Sequence, residues 1–334
     1  MNFDKTIPYE ISYKSKFKNS DELEYATYYD LFISAYNNSQ RVQEVFSKVK
    51  SNEKHWLIFA EYGYTESEIF VEVNDNISVF KFDHGYREGE VIRNYFDKLN
   101  LDFQNLKIGI DITGFIRPHL LFLIKYLNVK GLKQFDCLYS DPVKYKKNEE
   151  TRFSDQLVEV RQVDGYQGGS NPDNNNDYLF IAAGFDYNRI SNVSENKKHA
   201  KKIQIFGLPS LQPDMFQQNI VKAYKAEEEL SSSGNLFLDP SRTIFAPAND
   251  PFVTAEEISR YIKKMCKSEK VTNIYLAPLS TKVQTLGIAL FYIGECLEQD
   301  VSIIFPFCSQ YSRETSEGLS KVWLYTIDFN LLST

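Results

Sequence analysis

A chain of 334 residues, 43% hydrophobic and 25% charged, is long enough for two domains of ordinary size and excludes a disordered or fibrous protein. Its 22 Tyr, 25 Phe and 2 Trp supply large core side chains. A formal charge of -7 excludes a general nucleic-acid coat, which needs clustered Lys and Arg, but leaves room for a local basic pocket that takes a small anion.

Residues 1–25 predict an added strand and a helix start, without the apolar core of a secretory leader. Residues 31–45, LFISAYNNSQRVQEV, predict an apolar strand, a polar turn and a helix, with a second strand at WLIF, 56–59. The segment 69–82, IFVEVNDNISVFKF, is strand-like and precedes a helix beginning near Glu88. Residues 107–127, KIGIDITGFIRPHLLFLIKYL, predict a buried strand, a short polar loop and a helix. The helix run is interrupted by Lys125 and falls far short of a membrane span, so the expectation is a soluble, cytoplasmic protein with no membrane partner. A strand at 138–145, LYSDPVKY, and another at 157–163, LVEVRQV, follow. GYQGGSNPDNNND, 165–177, holds no apolar run and reads as a linker.

Beyond it the predicted order is strand 178–183, helix 188–199, strand 203–206, helix 213–230, strand 243–246, helix 254–268, strand 274–277, helix 282–297 and strand 301–305. Thr254 and Glu257 have the spacing of a capping box for the third of these helices. The strand-like run VWLYTI, 322–327, comes last.

The two halves repeat each other. Residues 31–45 and 179–193, LFIAAGFDYNRISNV, share six identities in fifteen at an offset of 148, Arg41 with Arg189 among them. Residues 107–127 correspond to 273–293, and 138–145 to 304–311, which sets Tyr145 over Tyr311. Short apolar runs alternating with helices predict parallel sheets covered by helices on both faces. The expected fold class is therefore α/β, two tandem Rossmann-like three-layer units related by internal duplication, at 1–164 with an N-terminal extension and at 178–334, joined by 165–177.

Cys137, Cys266, Cys296 and Cys308 are scattered and read as reduced thiols. His55, His84, His119 and His199 lie far apart without a metal-binding spacing, so no metal is expected. There is neither a Walker A sequence nor a GxGxxG fingerprint, and the cofactor stays open.

Ligands of open parallel sheets bind outside the carboxyl ends of the strands, facing amides at helix starts. IDITGFIR places Asp111, Thr113, Gly114 and Arg117 there, and LAPLSTK places Ser280, Thr281 and Lys282. Hydroxyls, helix amides and a cation suit a phosphate. The competing reading is that Ser280 or Thr281 caps its helix, Asp111 binds nearby amides, and Arg117 and Lys282 are solvated. Arg41 behind Asn37 and Asn38, and Arg189 behind Asp186, meet an anion or bond a carboxylate structurally. Tyr311, like Tyr36, Tyr62, Tyr64 and Phe185, is a stacking or a packing residue. Glu61, Asp111 and Asp141 are the strand-end carboxylates available for acid–base work, and no GxSxG elbow or Cys–His pair is legible.

YDLFISAYNNSQRVQEVF, 29–46, resembles the opening strand and helix of TIR-like domains, whose members cleave NAD with a glutamate; no later motif assigns that glutamate here. The DITGF and PLSTK junctions, within two Rossmann-like units, resemble the CARF and SAVED sensors. There, paired units bind cyclic oligonucleotides of bacterial immune systems at their shared surface. That resemblance puts phosphate contacts at Thr113, Arg117, Ser280 and Lys282, though this chain shows no recognisable nuclease, protease or membrane effector. The leading expectation is binding of a nucleotide or other phosphorylated small molecule at or near the cleft between units, by a sensor or regulatory component in bacterial defence. The alternatives are a nucleotide- or nucleoside-processing enzyme using the strand-end carboxylates, and a non-catalytic interaction subunit with an operon-encoded protein partner. The expected ligand is a small, nucleotide-like anion, with no extended nucleic-acid track.

Overall fold

The computed structural model describes residues 1, 3–71, 74–99, 101–145, 157–184, 186–212, 215–229, 240–313 and 316–333. In chain order the first half forms β1 (Lys14–Phe17), β2 (Tyr29–Ala35), α1 (Gln40–Lys48), β3 (Ser51–Ile58), β4 (Ile77–Lys81), α2 (Glu88–Asp97), β5 (Ile108–Asp111), α3 (Arg117–Val129), β6 (Gln134–Asp141) and β7 (Lys144–Tyr145). The second half forms β8 (Leu157–Gln162), β9 (Tyr178–Ala182), α4 (Tyr187–Asn196), β10 (Lys201–Gly207), α5 (Met215–Glu229), β11 (Thr243–Ala246) and α6 (Pro251–Ser268). It closes with β12 (Ile274–Pro278), α7 (Lys282–Phe291), β13 (Val301–Cys308), β14 (Ser316–Glu317) and β15 (Lys321–Asp328). The N-terminal helix start predicted from sequence is present only as short 3-10 turns at Tyr9–Ile11 and Asp21–Tyr25.

The strands written as unbroken apolar runs are the central ones. β5 and β9 are buried at every position, as strands covered on both faces must be. One sheet runs β1-β15-β6-β5-β2-β3-β4 and the other β11-β10-β9-β12-β13-β8. Within both, the five repeated strands are parallel and stand in the order third, second, first, fourth, fifth. This is the doubly wound Rossmann-like arrangement, and α2 packs on α3, α4 on α5 and α6 on α7 around it. The strand order reverses between β2 and β5 in one sheet and between β9 and β12 in the other.

The division of the chain differs from the expected tandem boundary. One unit is Ser12–Gln156 with Cys308–Asn330, and the other is Met1–Ile11, Leu157–Phe307 and Leu331–Thr334. They are called the first and second unit below. β8 follows β6 in the chain yet lies beside β13, whereas β15 follows β13 yet pairs antiparallel with β6. Each unit thus takes its sixth strand from the segment that leaves the other copy's fifth. Periodicity identifies a strand but not the sheet that receives it, because pairing is decided far away in sequence.

Residues 165–177 are correspondingly part of the second unit and not a free linker. Gly169 N donates to Gln299 O at 2.9 Å and Asn171 N to Asn273 Oδ1 at 2.8 Å, while Asp177 Oδ1 accepts from Thr272 Oγ1 at 2.6 Å. Its Asn and Asp side chains work as turn acceptors. The predicted Thr254–Glu257 box is also displaced: α6 starts at Pro251, and Asp250 caps it by accepting from Phe252 N and Val253 N at 3.1 and 3.2 Å. An Asp–Pro pair is a stronger start signal, since proline at the first helical position loses no bond.

The repeat reaches into the core. At the same offset of 148, Lys54 of β3 and Lys202 of β10 are both buried. Phe46 and Trp56 stack in the first unit at 3.7 Å between centroids, and the residues 148 positions later are Ser194 and Gln204.

Candidate functional site

In the first unit, the carboxyl edge at the order reversal gathers the sequence-predicted residues Arg41, Glu61, Asp111, Thr113, Gly114, Arg117, Asp141 and Tyr311. They form an inner and an outer group. Asp111 ends β5 with no exposed surface; its Oδ1 accepts from Thr113 N at 2.9 Å and its Oδ2 from Ser34 Oγ at 3.2 Å. Thr113 Oγ1 accepts from Ser140 N at 3.0 Å, and Arg41 Nη1 donates to Ser140 O at 2.7 Å. The Ser140 residue is therefore held at both its amide and its carbonyl. Asp141 Oδ2 accepts from Trp323 Nε1 at 2.8 Å and lies 3.4 Å from Lys321 Nζ. Burial pushes both carboxyls above the ordinary aspartate range, and the Arg41 charge acts against that on each. Asp111, Asp141 and Arg41 thus tie β2, β5, β6 and β15 together through a desolvated polar lattice.

Gly114 is required for close approach, and what approaches is protein. A Cβ there would stand 2.1 Å from Ala35 O at the end of β2. In the second unit a Cβ on Gly184 would stand 2.1 Å from Leu279 O, and Leu279 N donates to Ala182 O at 3.1 Å. In both units the loops leaving the first and fourth strands touch backbone to backbone.

The outer group lies beyond that seam. Glu61 sits on the 3-10 turn Ala60–Tyr62, and its carbonyl accepts from Tyr311 N at 2.9 Å. Tyr62 Oη donates to Gly114 O at 2.8 Å; burial raises its hydroxyl well above the usual phenol range, with the Arg117 charge opposing. Arg313 Nε donates to Tyr62 O at 2.5 Å, its Nη1 reaches Glu68 Oε1 at 2.7 Å, and its guanidinium covers the Tyr64 ring at 4.4 Å. Hydrogen bonds from Thr65, joined by Arg313, hold the Glu68 carboxyl down at about 2. Arg117, half-buried, is the first residue of α3, and His119 is the third. His119 is 2% exposed against the Phe59 ring, with Nε2 3.5 Å from Glu61 Oε1.

In the second unit, Asp186 precedes α4 and its Oδ2 lies 3.4 Å from Arg189 Nε, while the Arg189 guanidinium faces the Phe305 ring at 5.6 Å. Ser280 Oγ donates to Gln284 Oε1. Thr281 Oγ1 donates to Ala248 O at 2.7 Å and accepts from Gln284 N at 3.1 Å, so it caps α7. Lys282, half-buried, is the first residue of α7. Phe185 lies outside the described residues.

One pattern spans both units. The helices that follow the first and fourth strands are α1, α3, α4 and α7, and none carries an acid in its first turn. Each instead carries a cation there: Arg41, Arg117, Arg189 and Lys282. By contrast α2 opens with Glu88 and Glu90; Asp186 stands at the N-cap of α4 without a side-chain cap bond, whereas Asp250 caps α6. Helix starts carry partial positive charge and ordinarily attract acids, so a cation placed there raises the local potential further. No family model, curated protein or solved structure matches the chain.

A cavity of about 210 Å³ opens at the opposite, amino edge of the first unit, between Lys107, Ile108, Leu132, Lys133 and Phe135. Its two lysines are exposed, and Asp136 in its wall is already engaged by Tyr29 Oη and Thr326 Oγ1 at 2.9 and 2.6 Å. Among the described residues no three His, Cys, Asp or Glu side chains gather as a metal site requires, and no helix is long and apolar enough to cross a membrane.

The sequence reading missed His119 and Arg313. His119 stands two residues past Arg117 in a helix start, a position that marks it once α3 is known to begin at Arg117. Arg313 has no local signal; only the return of its segment to the first unit brings it to Tyr62 and Glu68.

Proposed function

We propose that the protein binds a nucleotide or another phosphorylated small molecule at the carboxyl edge of its Rossmann-like sheets, and works as a sensor or regulatory component. The supporting observation is the set of four helix starts that flank the order reversals, each with a cation and none with an acid in its first turn. Arg117 and Lys282 head their helices and are half-buried, which suits contact with an arriving phosphate. Arg41 and Arg189 are deeply buried and already engaged with Ser140 O and Asp186, which suits a supporting role. Calorimetry against a panel of nucleotides tests this on the wild type, Arg117→Ala and Lys282→Ala. A lost charge-assisted contact weakens binding by roughly tenfold to a hundredfold. Affinity unchanged in both variants removes the site assignment.

A second reading, an enzyme acting on a nucleotide or nucleoside, is favoured by the approach of Glu61 to His119, an acid–base combination at the rim of the same edge. Turnover followed by chromatography and abolished in Glu61→Gln supports it over binding alone.

A further inference from the structure

His119 is buried in the first turn of α3, yet neither ring nitrogen has a hydrogen bond. Buried polar atoms in native proteins nearly always have partners, so an imidazole left this way is poised for one. Its Nε2 points to the carboxyl edge, where Glu61 Oε1 stands 3.5 Å away, too far for a strong bond and near enough for charge attraction. Glu61 sits on a three-residue turn with a quarter of its side chain exposed. α3 itself has neither a capping side chain nor an acid in its first turn, and Pro118 follows Arg117. Across space, Glu61 supplies the negative charge that this helix start lacks.

We propose that the start of α3 is an oxyanion site in which Arg117 and His119 receive a phosphate group of the ligand, and that Glu61 is a resident carboxylate which the phosphate displaces. This rests on the anionic-ligand reading above and specifies the group recognised and the internal competitor. A phosphate brings more charge and more acceptor oxygens than a carboxylate, so it outcompetes Glu61 for the imidazole. Glu61, from the turn after β3, is the charged group seen against His119, and Phe59 of the β3 end packs on the ring; Tyr64, Arg117, Glu61 and Tyr311 all act electrostatically on the neighbouring Tyr62.

The test is calorimetric titration of the full chain with inorganic phosphate near neutral pH. Wild type, Glu61→Gln, His119→Gln and His119→Asn are compared, with thermal melts to confirm folding. The expected result is affinity raised about threefold or more in Glu61→Gln and lowered about tenfold in the His119 variants. Glu61→Gln binding phosphate no more tightly than the wild type overturns the proposal even if both His119 variants fail to fold. Phosphate binding that responds to Arg117→Ala but not to changes at 61 or 119 overturns it while leaving the anionic-ligand reading intact. A wild type that binds neither phosphate nor any nucleotide overturns both.

Discussion

Lys54 and Lys202, 148 positions apart, make the same kind of contact in the two units. The Lys54 ammonium donates to Phe46 O and Ser47 O at 2.7 and 3.2 Å, and the Lys202 ammonium to Lys197 O and Lys198 O at 3.2 and 2.6 Å. Each thus satisfies carbonyls in the last turn of the preceding helix or just past it, where the backbone dipole favours a cation. Substitution of either by Met should lower stability by about 1–3 kcal/mol, read from urea unfolding, because buried carbonyls lose their donor. A loss at one position only would break the equivalence.

The same residue gives a pH signature. Burial pulls the Lys202 amine from its ordinary 10.5 down to about 8. Between those values the unfolded chain binds more protons at this site than the folded one, so the site's contribution to stability rises with pH across that window. The difference in unfolding free energy, wild type minus Lys202→Met, should therefore grow between pH 8 and 10. A difference that is flat or falls would contradict the depressed amine.

Ser194 and Gln204 occupy the places held by Phe46 and Trp56 in the other copy. Lys202 and Phe206 point from β10 towards the ends of α4 and α5, and the alternation of the strand puts Gln204 on the same face. It has no exposed surface, and both its amide atoms lack a hydrogen-bond partner in the protein. Trp56→Ala should cost about 3–5 kcal/mol as a cavity opens beneath Phe46. Gln204→Leu should be neutral or stabilising, since an apolar residue of similar size removes an unmet amide. Thermal melts that destabilise Gln204→Leu as strongly as Trp56→Ala would show that this amide is bonded.

The exchange of sixth strands predicts how fragments behave. A chain ending at residue 164 lacks β15, and a chain starting at 178 lacks β8, so each exposes an unpaired sheet edge. Expressed alone, each should be insoluble or unfold without a cooperative transition; residues 1–164 and 165–334 expressed together should copurify. A sharp thermal transition from the 1–164 fragment alone would refute this.

The repeat, the parallel sheets and most helix positions are legible because local periodicity encodes them: a five-residue strand such as YLFIA, buried on both sides, has few other uses. Asp111, Arg117 and Lys282 are legible as strand-end and helix-start residues for the same reason. Three features are not. The destinations of β8 and β15 depend on pairing between distant segments, which a strand pattern leaves undetermined. From sequence, either Ser280 or Thr281 caps the helix or meets a phosphate, since the same hydroxyls suit both; Thr281 is the cap, and the bond from Ser280 to the Gln284 side chain has no sequence signal. His119 looked isolated because its partner Glu61 comes from another strand's loop, 58 residues earlier.

Gly114 and Gly184 clear the same kind of contact from opposite sides. In the first unit the glycine is on the loop after the fourth strand and meets the first; in the second it is on the loop after the first strand and meets the fourth. Aligning the two copies would never pair these residues, yet each leaves just enough space for a neighbouring carbonyl. What the two halves share here is a clearance, a steric requirement carried by two loops jointly and met by whichever one has no side chain. With that seam shut by main chain, the floor of the edge is inert, and recognition falls to the helix starts around it.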